Sequence, residues 1–231
     1  MPGQHFVITG ANRGIGLELT RQAIAQGHRV SAIARDPDAA ALRDLGADTG
    51  NALTRHQADV TAPDTLAAAA KAVPAPVDLL VCNAGQYIGR GKLGTTAFGA
   101  DAWQSGLMTN VAGVFFTVEA FLGHLRGAAR PRIAILSSIM GSSARAPGGS
   151  YIYRASKAAA TNLARNLAQD LTGDGIAVGA YHPGWVKTDM GGSGADILVQ
   201  QAVSGLLARF DTLSPETTGV FEDYRGAAIP F

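Results

Sequence analysis

The feature that most constrains this chain is its rhythm: short β-branched apolar runs alternate with longer segments of helical periodicity from one end to the other. A strand flanked by helices on both sides must cross over to reach its parallel neighbour. Such a pattern therefore folds as a parallel sheet with helices on both faces. Strands are expected at His5 to Thr9, Val30 to Ala34, Thr54 to Ala58, Val77 to Cys82, Arg132 to Ser137 and Ala177 to Tyr181, with a final one near Gly219 to Phe221. Crossover helices are expected at Gly14 to Gln26, Pro37 to Leu45, Ala62 to Ala72, Ala100 to Leu125 and Tyr151 to Leu171. Asp36 and Thr61 are the expected N-caps of the second and third, with Pro37 in a first turn that does not need its missing N–H. The fold class is α/β: a doubly wound Rossmann-type sheet of seven strands in a single domain over residues 1–231.

No Pro/Gly/Ser linker, repeat period or charge block divides the 231 residues. Nineteen Lys and Arg against 18 Asp and Glu leave a formal charge of +1, so no basic footprint points to nucleic acid or anionic lipid. The most apolar long window, Val111 to Leu125, contains Glu119 and is short for a bilayer span, which favours a buried helix. The single Cys82 suits a reducing compartment, and the expectation is a soluble cytoplasmic protein acting on small molecules.

Loops rich in glycine, at Gly85 to Gly99, Gly141 to Ser150 and Gly184 to Gly194, all follow expected strands and should gather at the carboxyl edge of the sheet, where open α/β folds bind ligands. The first strand runs into Thr9-Gly10-Ala11-Asn12-Arg13-Gly14-Ile15-Gly16 and then an amphipathic helix. Glycines there permit close backbone approach, and a helix N-terminus offers unpaired N–H groups to a pyrophosphate. The lack of a following Lys-Ser/Thr pair argues against an NTPase. The second strand ends in Arg35, where an NAD site would carry a carboxylate for the ribose 2′-hydroxyl. Its charged planar fork suits a 2′-phosphate, with Arg13 able to approach from the turn, so NADP(H) is expected over NAD(H).

Tyr153 and Lys157 lie four residues apart and project from one helix face, whereas Tyr151 falls on another. A cation beside a phenol stabilises the phenolate, so Lys157 is expected to lower the Tyr153 pKa. Ser137 and Ser138 end the preceding strand on opposite faces, so only one can serve the pocket, and Ser138 is the choice. Its hydroxyl would hydrogen-bond a substrate oxygen as negative charge develops.

With these residues in order, the chain resembles the classical short-chain dehydrogenase/reductase family over essentially its whole length. The resemblance implies that Gly10, Asn12, Arg13, Gly14, Ile15 and Gly16 form the cofactor turn and that Asp59 and Val60 contact adenine. It makes Asn83-Ala84-Gly85 the motif beside the cofactor that stabilises the sheet, and Pro183, Gly184, Val186 and Thr188 the nicotinamide segment. In the family scheme Tyr153 is the acid in carbonyl reduction and the base in alcohol oxidation. Lys157 also holds the nicotinamide ribose, Ser138 orients the substrate oxygen, and Asn110 supports a water-linked proton path. The stretch Tyr181 to Gly192 and the short ending Gly219 to Phe231 resemble the C-factor and Sniffer-like carbonyl reductase branch. The expected activity is NADP(H)-dependent reduction of an aldehyde or ketone. Other readings on the same fold are a dinucleotide-sensing signalling protein, and an isomerase or dehydratase using the same tyrosine. The family commonly pairs through the alanine-rich helix from Tyr153 to Ala168, so a homodimer or tetramer is expected.

Overall fold

The computed structural model describes residues 3–94, 98–192 and 194–231. Thr95 to Ala97 and Ser193, within two of the expected glycine-rich loops, lie outside the described residues. One sheet collects seven parallel strands: β1 (His5–Thr9), β2 (Arg29–Ala34), β3 (Leu53–Gln57), β4 (Leu79–Cys82), β5 (Arg132–Leu136), β6 (Ala177–His182) and β7 (Phe221–Asp223), in the spatial order β3-β2-β1-β4-β5-β6-β7. The order reverses at β1, which pairs with β2 on one side and β4 on the other, and that reversal opens a crevice at the carboxyl edge.

Strand alternation supplies two cores from one sheet. Val7, Leu80, Cys82, Ile133, Ile135 and Val178 face α3 (Pro63–Ala72), α5 (Gly113–Arg126) and α6 (Tyr151–Asp170), whereas Phe6, Ile8, Leu79, Val81, Ala134 and Leu136 face α1 (Gly14–Ala25), α2 (Ala40–Ala47) and α7 (Val199–Thr212). Each large side chain so buried contributes about 1.5–3 kcal/mol.

Several boundaries differ from the sequence reading. The second helix starts at Ala40, not at Pro37: the Asp36 carboxylate accepts from the Asp38 N–H at 3.1 Å, and the Pro37 carbonyl accepts from Arg55 Nη1 at 3.1 Å, so that segment is a turn tied to β3. Thr61 caps nothing, because its hydroxyl donates to Asp59 at 2.8 Å; α3 begins at Pro63 after Ala62. The expected helix Ala100 to Leu125 is α4 (Ala100–Leu107), a π-helical turn (Met108–Ala112) and α5 in succession. This 27-residue stretch, Ala100–Arg126, has the length and hydropathy of a membrane span, but its apolar side chains Val114, Val118, Phe121 and Leu125 are spent in the sheet core. The last strand starts at Phe221, two residues beyond the expected Gly219. Helix α7, which covers the second face with Val203, Leu206, Leu207 and Phe210, was not anticipated, because its period is interrupted by Ser204-Gly205 and preceded by a glycine-rich stretch. Gly205 is required there: a Cβ would lie 2.3 Å from the Tyr224 carbonyl oxygen.

The start of α1 packs onto the end of β1 so closely that a Cβ on Gly16 would fall 2.2 Å from the Gly10 carbonyl oxygen and 2.5 Å from Asn83 Nδ2. Backbone cannot yield as a flexible side chain can, so Gly16→Ala is expected to cost about 1–3 kcal/mol in urea denaturation. Gly123 in exposed α5 surface has nothing within 4 Å of its Cβ position, and Gly123→Ala should leave stability unchanged or raise it by about 0.4–1 kcal/mol.

Candidate active site

The carboxyl-edge crevice is a cavity of about 1040 Å³. Its wall is formed by the glycine turn (Gly10, Asn12, Arg13, Gly14, Ile15, Gly16), against which Asn83, Ala84 and Thr188 pack, by Arg35, Asp59 and Val60, and, beyond the turn, by Gly85, Tyr153, Lys157 and Pro183. Residues spread over 179 positions of the chain, from Gly10 to Thr188, thus meet at one site. Ser138, Gly184, Val186 and Asn110, expected there as well, are not on the wall. A Cβ on Gly184 (φ +88°) would strike Ile197 at 2.3 Å, so this glycine makes the turn after β6; Val186 is buried and bridges Ile197.

At the cofactor-turn end, Asn83 clamps β4 to β1: its Nδ2 donates to the Thr9 carbonyl at 2.8 Å and the Gly10 carbonyl at 3.2 Å. Thr9 reciprocates from its side chain, accepting from the Asn83 and Ala84 N–H groups at 3.1 Å each and donating to Val81 O at 3.3 Å. Thr9 was quoted in the motif as sequence, but its part as a fastener shows only in three dimensions. Gly10 and Gly14 hold φ of +65° and +54°, the left-handed backbone that makes the turn. No side chain caps the first turn of α1, so its N–H groups remain available to an anion. Arg35 is exposed at the rim. Asp59 is turned to its own loop, accepting from Thr61 N at 2.9 Å, and with Arg35 nearby its carboxyl is held below the usual range although burial opposes this. Arg13 pairs with Asp189 at 3.7 Å across the rim, an exposed contact of little energetic weight.

At the other end the two serines have different partners. Ser137 forms part of the wall, but its hydroxyl is committed to Thr161 Oγ1 at 2.6 Å and the Lys157 carbonyl at 3.2 Å. Ser138 accepts from Met140 N at 3.1 Å, and its side chain is close enough to the Tyr153 phenol to favour the ionised form. The turn carrying Ser138 is pressed on α6 through Gly141, whose Cβ would meet the Lys157 carbonyl carbon and oxygen at 2.7 Å. That contact fixes the separation of serine and tyrosine.

Burial, not the lysine, sets the acidity of the phenol. Tyr153 is pushed up to about 12 by desolvation, with the Ser138 hydrogen bond opposing, and Lys157 is not among the groups that shift it. Lys157 itself is driven down to about 8 by burial; its Nζ donates to the Leu136 carbonyl at 2.7 Å and stands 5.8 Å from the centre of the Tyr153 ring. The expected lowering of the Tyr153 pKa by Lys157 is therefore corrected: with both groups withdrawn from water, each is shifted toward its neutral form.

Asn110 sits in the π-helical turn with 1% exposure, its Oδ1 accepting from Gln86 N at 2.9 Å and its Nδ2 donating to Gln86 O and Ser156 Oγ at 2.9 Å each. Its side chain fastens the loop after β4 to α6. That loop carries two residues the sequence reading did not single out. Tyr87 stacks on Tyr153 with ring centres 4.3 Å apart at 25°, and Arg90 lies over the Tyr87 ring at 4.4 Å and donates to the Met190 carbonyl. No periodicity announces such contacts, because the partners are 66 and 100 residues away.

Comparison with known proteins agrees with this arrangement. The C-signal protein of Myxococcus xanthus is 40% identical over 157 residues, covering 68% of this chain and 93% of that protein. NADPH-bound carbonyl reductase from chicken fatty liver superposes with a TM-score of 0.91 at 30% identity, and carbonyl reductase Sniffer of D. melanogaster with 0.92 at 27%; each match covers 100% of both chains. These bear out the resemblance to the C-factor and Sniffer-like branch. The sequence model of the short chain dehydrogenases matches residues 4–196. The chain is a member of the short chain dehydrogenase family of oxidoreductases.

Proposed function

We propose that this protein reduces an aldehyde or ketone to an alcohol with NADPH, Tyr153 acting as the proton donor. The observation that carries the reading is a single cavity whose wall holds Tyr153 and Lys157 together with a glycine turn and Arg35. The cavity fits a dinucleotide: its volume of about 1040 Å³ is ample, the α1 N-terminus offers N–H groups at one end, and the wall reaches Lys157 at the other. Gly10, Asn12, Gly14, Ile15 and Gly16 would hold the pyrophosphate, Asp59 and Val60 the adenine side, and Asn83, Ala84, Gly85, Pro183 and Thr188 the nicotinamide side. When bound, the cofactor supplies the hydride. Ser138 orients the carbonyl oxygen, Tyr153 gives it a proton as charge develops there, and Lys157 holds the ribose and lends positive charge to the site. Burial raises the phenol to about 12, so Tyr153 carries its proton across the physiological range. The names of the carbonyl reductases that superpose on the chain support reduction as the direction. A cytoplasmic setting, suggested by the lone buried Cys82, and a homodimer belong to the same proposal. Of the α6 alanines, Ala160, Ala164 and Ala168 already pack within the subunit, so a dimer would use the exposed positions of that helix and Phe115, as light scattering would reveal.

Tyr153→Phe should bind NADPH normally in a fluorescence titration while carbonyl reduction, followed by NADPH absorbance, falls by about 10²–10⁴-fold. Near-normal turnover would refute the assigned acid, and cofactor binding without turnover in the parent protein across a carbonyl panel would favour the sensor reading instead. Arg35→Ala removes a charged hydrogen-bonding partner of the 2′-phosphate; kcat/KM should drop by about 10–100-fold for NADPH and stay level for NADH. Lys157 is cationic below about 8 and neutral above, while Tyr153 keeps its proton to about 12. The kcat/KM for reduction should accordingly hold at low pH and decline as pH rises through about 8, and Lys157→Arg should move that limb upward.

A further inference from the structure

We propose that Tyr87 is a positioning residue for Tyr153: its ring, held at three points, covers a face of the catalytic phenol and fixes the direction in which the hydroxyl points. This rests on the reading of Tyr153 as the acid. The first anchor is backbone. Gln86, immediately before Tyr87, has its N–H and C=O both taken by the Asn110 side chain at 2.9 Å, so the chain enters Tyr87 in one conformation. The second is the Tyr87 hydroxyl, 2.8 Å from Ser150 Oγ, and the third is the Arg90 guanidinium over the Tyr87 ring. Ser150 is the residue before α6 and holds φ +49°, a left-handed conformation costly for a residue with a Cβ. Its N–H donates to the Gly91 carbonyl at 2.8 Å, so the loop of residues 86–92 grips the start of α6 by side chain and by backbone. Tyr153 lies in the first turn of that helix.

Tyr87 is not on the wall of the dinucleotide cavity, so it can act on the phenol without touching the cofactor. A stack of this separation favours one ring orientation over the others. A residue shielding the ring also keeps water from it, in keeping with the raised pKa that burial gives Tyr153.

The test compares Tyr87→Ala, which removes the ring, with Tyr87→Phe, which keeps the ring and loses the bond to Ser150. Two readouts are taken: ionisation of the Tyr153 phenol, by ultraviolet difference titration of each variant against the same variant carrying Tyr153→Phe, and steady-state carbonyl reduction with NADPH. Tyr87→Ala should lower the Tyr153 pKa from about 12 by roughly one unit or more as water reaches the ring. It should also reduce kcat by about 10–100-fold with NADPH affinity unchanged. Tyr87→Phe should stay close to the parent on both. Should alanine compromise folding, Tyr87→Leu, which keeps bulk without an aromatic face, makes the same comparison. The proposal is overturned if Tyr87→Ala titrates and turns over like the parent, if only KM rises, or if Tyr87→Phe falls as far as Tyr87→Ala. The titration needs no substrate: a shifted phenol in a protein that reduces no carbonyl would sustain the positioning role and refute the proposed function.

Discussion

The crevice depends on the fastening between the ends of β1 and β4, where Asn83 donates to the Thr9 and Gly10 carbonyls while the Thr9 hydroxyl accepts from Asn83 and Ala84. These strands are neighbours in the sheet but diverge at their carboxyl ends, since one chain turns up into α1 and the other runs out into the loop before α4. Backbone groups stranded at such a divergence must find partners, because an unmade buried hydrogen bond costs about 1–3 kcal/mol. One threonine and one asparagine meet that demand, and in doing so set the shape of the glycine turn and the place where the loop carrying Tyr87 begins. Gly16 completes the arrangement by allowing α1 to start in contact with the Gly10 carbonyl.

The reacting end follows a different logic. Ser138, Tyr153 and Lys157 are gathered by the contact of Gly141 with the α6 backbone at Lys157, which permits no side chain between them. Burial then acts on the assembled groups. Withdrawn from water, phenol and ammonium are each pushed toward neutrality, the first to about 12 and the second to about 8. The proximity of Lys157 to Tyr153 along one helix face suggested the opposite outcome for the phenol. What the spacing could not convey is that Nζ reaches past the ring to the Leu136 carbonyl.

Much of this was legible in the residues. Parallel strands buried on both faces must be apolar along their length, and so β1, β4 and β5 stand out as Phe6-Val7-Ile8, Leu79-Leu80-Val81 and Ile133-Ala134-Ile135. The glycine turn, Arg35 and the Tyr153–Lys157 pair were also visible, since each is defined by spacing within a short segment. Less could be read where the decisive partner is far away in sequence. Asp36 and Thr61 have the chemistry of caps, but β3 and Asp59 claim them or their neighbours first. Asn110 was recognised, but its side-chain partners Gln86 and Ser156 are 24 and 46 residues away and show only in the folded chain. Helix α7 was lost among glycines and recovered only as the cover that Phe6, Ile8 and Leu136 require.

By itself the sequence determined all the strands and most of the helices, that they wind into a parallel sheet, and where the glycine turn lies, because local periodicity and glycine placement carry that information within a dozen residues. Tertiary structure decided what each of two adjacent serines bonds to, where the lysine points, which loop an asparagine fastens, and that a second tyrosine lies on the first. Those outcomes depend on desolvation and on contacts between residues tens of positions apart, and both exist only after the sheet has brought the loops to one edge.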